Sequence, residues 1–129
     1  VTGSSATLGF GGRSQSGQAT IELALALPLV LLLALVMVQA ALVLGDDLAV
    51  TNAAREAARA ASLDPDPGRA GRAASAVLPG AAVRSGPRPP VGELVHVLVS
   101  YRSPTDLPVV GPLLPDPLLE ARAAMRVER

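Results

Sequence analysis

Near the N-terminus one carboxylate stands where hydrocarbon should begin. Glu22 closes the stretch Gly17-Gln18-Ala19-Thr20-Ile21-Glu22 and is followed by Leu23-Ala24-Leu25-Ala26-Leu27-Pro28-Leu29-Val30-Leu31-Leu32-Leu33-Ala34-Leu35-Val36-Met37-Val38. A charged side chain at the edge of such a run is costly and tends to mark function. The plain alternative is that Glu22 reaches back to the interface and Gly17 ends a loop, and spacing alone leaves both readings open. The other residue types able to do chemistry are sparse. His96 is the sole histidine and falls in a β-branched run, where a half-exposed sheet residue is the expected role. Asp46 and Asp47 are adjacent on a helical pattern and so point apart, as a solvated flank would. Asp64 and Asp66 sit in a proline turn that explains them without a metal. No glycine-rich phosphate loop, GxSxG or HExxH pattern occurs. These features point away from an enzyme, a cofactor or a small-molecule substrate.

The elements that must position Glu22 follow from hydropathy and periodicity. From Leu23 to Gly45 there is no charged side chain, and Gln39 is the main polar interruption. At a 1.5 Å rise per residue this run covers roughly 30 Å, the thickness of a bilayer core. Pro28 falls in the second turn, where membrane helices tolerate it. Arg13 precedes the span and Asp46-Asp47 follow it, so the positive-inside rule places the N-terminus in the cytoplasm. A secretory signal cut after Ala40 is the rival reading of the same run, but the run is longer than the usual apolar region of a signal peptide.

Beyond the span, Ala54, Ala57, Ala58 and Ala61 recur at i, i+3, i+4 and i+7, with Arg55, Glu56 and Arg59 largely on the other side. This predicts that the membrane helix continues to about Ser62. Its small-residue face would either cover a modest core or let another helix approach closely. Asp66 and Pro67 predict the capped start of a short helix running to about Leu78, stopped by Pro79-Gly80. Leu94–Tyr101 and Leu119–Glu128 alternate as strands and should pair antiparallel. Val95, Val97, Val99 and Tyr101 share one face; Leu119, Ala121, Ala123, Met125 and Val127 face inward on the second strand. The connection from Ser103 to Pro117 carries five prolines and the apolar residues Leu107, Val109, Val110, Leu113 and Leu114. An apolar loop of this kind should pack on the sheet or on a partner surface.

Composition sets the outer limits. The chain has 129 residues and an apolar fraction of 50%, much of it in the single run, with one Phe and one Tyr. That leaves room for one small domain with a lean core. There is no cysteine, hence no disulfide or thiolate site within the chain. Formal net charge is zero, which gives nucleic acid no electrostatic footing.

With these residues in view, the chain resembles the TadE-like proteins, pilin-like (pseudopilin) components of tight-adherence, Flp-type pilus systems. The likeness rests on Gly17-Gln18-Ala19-Thr20-Ile21-Glu22-Leu23-Ala24-Leu25-Ala26-Leu27-Pro28 and on Thr51-Asn52-Ala53-Ala54-Arg55-Glu56-Ala57-Ala58-Arg59. The closing Ala123-Ala124-Met125-Arg126-Val127-Glu128 is similar to the family's end strand. The resemblance implies a membrane aspartic peptidase that cuts after Gly17, leaving Gln18 as the new N-terminus and Glu22 fifth in the mature chain. The physical logic is plain. Glycine offers access and backbone freedom at the bond to be cut. The new α-amine can neutralise the carboxylate of a neighbouring subunit in an array of parallel helices. A buried charge without a partner is expensive, so that pairing would set the axial register.

The expected protein is α+β: a leader over 1–17, a transmembrane helix with its extracytoplasmic extension over 18–62, and a small extracytoplasmic region over 63–129, TadE-like overall from 17 to 129. Its expected function is that of a minor pilin or pseudopilin-like structural subunit, held in the cell membrane by one span. Its expected partners are the lipid bilayer, a prepilin-type peptidase, other pilin-like subunits and the pilus assembly machinery. The competing classes are an unprocessed single-pass surface or binding protein, and a secreted protein cleaved after Ala40.

Overall fold

The computed structural model describes residues 2–3 and 14–128, and the side chains of its first helix from Gly17 onward. Arg13 and most of the expected leader lie outside the described residues. One helix dominates: α1 spans Ser14–Leu63, 50 residues with Pro28 inside it, about 75 Å at the standard rise. The apolar span and the alanine-rich stretch are thus one continuous rod, as their helix-favouring composition predicts. Every described side chain from Gly17 to Ala34 is exposed. A free-standing helix of such hydrophobicity is stable in lipid, where its apolar side chains face apolar neighbours and its backbone is satisfied internally. By length and composition the helix is long and apolar enough to cross a membrane.

The second half of α1 is the spine of the folded part. The chain reverses through Asp64-Pro65-Asp66 into α2 (Pro67–Val77). It continues into β1 (Ala82–Ser85), β2 (Leu94–Arg102) and β3 (Leu118–Arg126). These form one antiparallel sheet in the order β1-β2-β3, with Val99 opposite both Val83 and Ala121, and Val97 opposite Ala123. One face of the sheet packs on α1. The buried core is Val50, Ala53, Ala54, Ala57 and Ala58 from α1, Ala70 and Ala74 from α2, and Val97 and Val99 from β2. Leu78, Val83, Tyr101, Leu119, Ala121 and Ala123 pack around it. The fold is α+β, with the expected strand pair and inward faces in place. β3 stops at Arg126, short of the expected Glu128; within the inward row Met125 stays 36% exposed, whereas Val127, just past the strand, is buried.

The structure also decides what the alanine face touches. It is filled by the sheet on one side and α2 on the other, so within this chain it is core. Two contact surfaces explain why Ala53 is buried beside Ala54, Ala57 and Ala58. β1 is an element that the sequence pattern does not announce. Its four residues, Ala-Val-Arg-Ser, contain one β-branched side chain, and they become a strand because β2 offers a free edge. Gly80 takes a φ of 86°, a backbone state that glycine adopts without steric cost, and this turns the chain from α2 into β1.

The start of α2 is built from side chains on the spot. Asp66 accepts from the Gly68 N–H through Oδ1 (3.0 Å), and Asp64 Oδ1 accepts from the Asp66 N–H (2.9 Å). The Arg72 guanidinium donates to the other oxygen of Asp66. The Arg72 hydrogen bond, followed by that from Gly68, holds the Asp66 carboxyl below its ordinary value of 3.8. A lowered carboxyl stabilises the folded state above its unfolded pKa, and the contribution is lost as pH falls through the lower folded value. The protection of α2 amides, after correction for the intrinsic pH dependence of exchange, is therefore expected to be flat down to about pH 5 and to fall only in stronger acid. In an Asp66→Ala variant that acid step should vanish and α2 should exchange faster throughout.

Candidate functional site

Gly17, Gln18 and Glu22 all lie in the first turns of α1, on its solvent- or lipid-facing surface. The Gln18 Nε2 donates to Glu22 Oε1 at 3.2 Å, one turn along the helix. Among the described residues the carboxylate is thus met by a neutral amide, with no ion pair to a cation. Such an exposed i,i+4 contact stabilises a helix by only a few tenths of a kcal/mol, so a cationic partner from outside could displace it at little cost.

The Gly17–Gln18 bond is not extended, because α1 begins three residues earlier, at Ser14. It still falls in the first turn of the helix, where the leading N–H groups have no intrahelical acceptor. Unwinding that turn sacrifices few hydrogen bonds, and glycine lowers the conformational penalty further. A Cβ added at Gly17 would meet nothing within 4 Å, so the backbone there is open to an approaching enzyme. Ser14, Gln15 and Ser16 are helical, without described side chains.

Asp46 departs from the plain role of a solvated flank. Its carboxylate accepts a hydrogen bond from the hydroxyl of Ser103, a residue fully buried at the end of β2. The bond pins the sheet to α1 at the point where the apolar span ends. Asp47 stays exposed, and its carbonyl accepts from the Thr51 hydroxyl at 3.0 Å. No sequence pattern links Asp46 to a serine 57 positions away; only the fold brings them together. Gln39 is the second surprise. It lies inside the apolar span yet is only 4% exposed.

His96 is exposed on the outer face of the sheet, opposite Ala124. Asp64 faces Arg69 at 3.8 Å. An open cleft of about 300 Å³ lies beside this turn, lined by Asp64, Asp66, Arg88 and Val95 among others, and its two carboxylates are already engaged by arginines of α2.

The geometry at the head of α1 coincides with the one comparison that returns a match. The model of the TadE-like protein family matches residues 17–59, the apolar span together with most of the alanine-rich extension. The closing strand lies outside the matched segment. Neither the curated proteins nor the solved structures contain a significant match to the chain. The matched family is pilus-related, and an N-terminal membrane helix is part of that reading.

Proposed function

Taking residues 17–59 as a TadE-like segment, we propose that the chain is a minor pilin or pseudopilin-like subunit of a tight-adherence pilus system, structural and not enzymatic. In this reading residues 1–17 are a cytoplasmic leader, 18–62 the span and its extension, and 63–129 a small extracytoplasmic region. A prepilin-type peptidase cuts between Gly17 and Gln18. The α-amine of Gln18 then pairs with the Glu22 carboxylate of a neighbouring pilin-like subunit, and the assembly machinery draws on the membrane-held pool.

The observation that carries this reading is the start of the family match. It begins at Gly17, the residue after which the cut is placed, at the open first turn of a lipid-exposed helix. The charge logic supports it as well. Among the described residues Glu22 is met by the Gln18 amide, and a carboxylate drawn into a packed helical array needs a counter-charge.

Intact-mass and N-terminal sequencing of the membrane fraction, from cells with an active peptidase, tests the proposal. The expected chain starts at Gln18. A chain that keeps its leader would favour an unprocessed membrane-anchored protein, and a start at Ala41 would favour a secreted one.

A further inference from the structure

We propose that the β2–β3 connection, residues 104–116, is a second membrane-contacting element: a wedge that enters the outer leaflet beside the span and covers Gln39. This rests on the reading of α1 as a membrane span with the sheet outside it.

The direction of the sheet places the wedge. At one end, the Glu128 N–H and an Arg88 guanidinium nitrogen donate to the carbonyl of Ser62, both at 3.2 Å. At the other end, Ser103 donates to Asp46. The strands therefore run along α1, from its distal end near Ser62 down to Asp46, where the apolar span stops. The Ser103 N–H donates to the Pro117 carbonyl at 3.0 Å, and the Thr105 N–H to Asp116 Oδ1 at 2.9 Å. These two bonds close a neck at the level of Asp46, and strands that keep their direction past it would carry the chain toward the membrane end of the helix.

Below Asp46 the surface of α1 bears the mark of a cover. Among the described side chains from Gly17 to Asp46, only Leu35, Gln39, Val43 and Asp46 are shielded. They form one stripe at i, i+4, i+8 and i+11. Gln39 lies seven residues before Asp46, about 10 Å deeper in a hydrocarbon core of about 30 Å. Both atoms of its amide are buried without a hydrogen-bond partner among the described residues. An amide facing acyl chains is unfavourable, and the 104–116 excursion is the segment positioned to hold it off lipid.

The wedge has the build that lipid demands. Val110 is buried, whereas Val109, Leu113 and Leu114 are 61%, 71% and 44% exposed. No charge occurs between Asp106 and Asp116, and those two carboxylates bracket the tip as Asp46 and Asp47 close the span. Irregular backbone is tolerated at membrane depth only when its polar groups are satisfied. Pro108, Pro112 and Pro115 carry no N–H to satisfy. The tip donors of Val110, Gly111, Leu113 and Leu114 bond to Pro108, Leu107, Val110 and Val110 in turn, at 2.8 to 3.2 Å. Gly111 permits this compact turn, since a Cβ there would sit 2.6 Å from the Thr105 carbonyl oxygen.

The chain contains no cysteine, so single cysteines report unambiguously. Full-length Leu113→Cys and Val109→Cys, each labelled with an environment-sensitive fluorophore, are reconstituted at low protein-to-lipid ratio. The vesicles are of phosphatidylcholine and phosphatidylglycerol, with and without nitroxide-labelled phospholipid. Leu31→Cys marks the middle of the span and Glu93→Cys the distal end of the sheet. The expected result is blue-shifted emission and lipid quenching at positions 113, 109 and 31, with neither at 93. Quenching at 31 but not at 113 and 109 overturns the wedge and leaves the span intact. A blue shift at 113 without lipid quenching also overturns it, and assigns the tip to a protein contact. No quenching at 31 removes the span reading itself and the wedge with it.

Discussion

Leucine in place of Ala57 is expected to lower the stability of the folded part by about 2–3 kcal/mol, the upper range for added volume in a packed core. Ala57 is fully buried in the cluster that joins α1 to α2 and β2. Three added carbons there have no space to occupy without parting two interfaces together. Leucine and alanine differ little in helix propensity, so the loss reports packing and leaves the rod itself unaffected. For a domain of this size the melting temperature should fall by roughly 10–20 °C. Tyr101, the sole tyrosine in a chain without tryptophan, packs against this core, and its fluorescence in detergent-solubilised full-length protein follows the transition. Ala124→Leu, on the exposed outer face of the sheet, should leave the midpoint almost unchanged. If Ala57 served contacts between subunits and not the core, the melting of the isolated chain would be insensitive to the substitution.

The second large effect concerns Gly17. Gly17→Leu is expected to abolish most processing under the proposed function, so that cells with an active peptidase accumulate the precursor. The substitution is clean because a Cβ at this position meets nothing within 4 Å and α1 already begins upstream. Leucine also strengthens the first turn relative to glycine, which opposes the unwinding needed for cleavage. Intact mass of the membrane fraction distinguishes precursor from mature chain. Gly45→Ala, another position with open space around it, should mature normally. Unchanged maturation of Gly17→Leu would remove the peptidase assignment, while leaving the membrane anchor and the α+β fold untouched.

Most of the architecture was legible in short-range patterns because those patterns report local physics. The uncharged run from Leu23 to Gly45 reads as a span or a long signal, and it forms one continuous, largely exposed helix. Asp66-Pro67 marks a helix start because a carboxylate meets the first free N–H groups and proline needs none, and α2 begins there. The alternation in Leu94–Tyr101 and around Leu119 predicts which side chains face inward, since the two faces of a strand differ by one residue. The candidate site was legible in the same way, as Gly17, Gln18 and Glu22 lie within six consecutive residues.

Other features have no local signature. Ala54, Ala57, Ala58 and Ala61 show that something approaches α1 closely, but a small side chain fits a sheet, a neighbouring helix or another subunit equally well. Only the chain's return through α2 and the sheet selects the occupant. β1 is a strand by virtue of the edge it meets. Asp46 reads as a solvated flank until Ser103 arrives from the far end of β2, and Gln39 as an interruption of a lipid-facing run until the stripe it shares with Leu35 and Val43 is seen to be shielded. By itself the sequence determined the two helices, the β2–β3 pair and the run apolar enough to cross a membrane, because periodicity and hydropathy act between near neighbours. The tertiary structure decided what each face meets, because a contact across 57 residues depends on where the chain returns and not on the residues beside it.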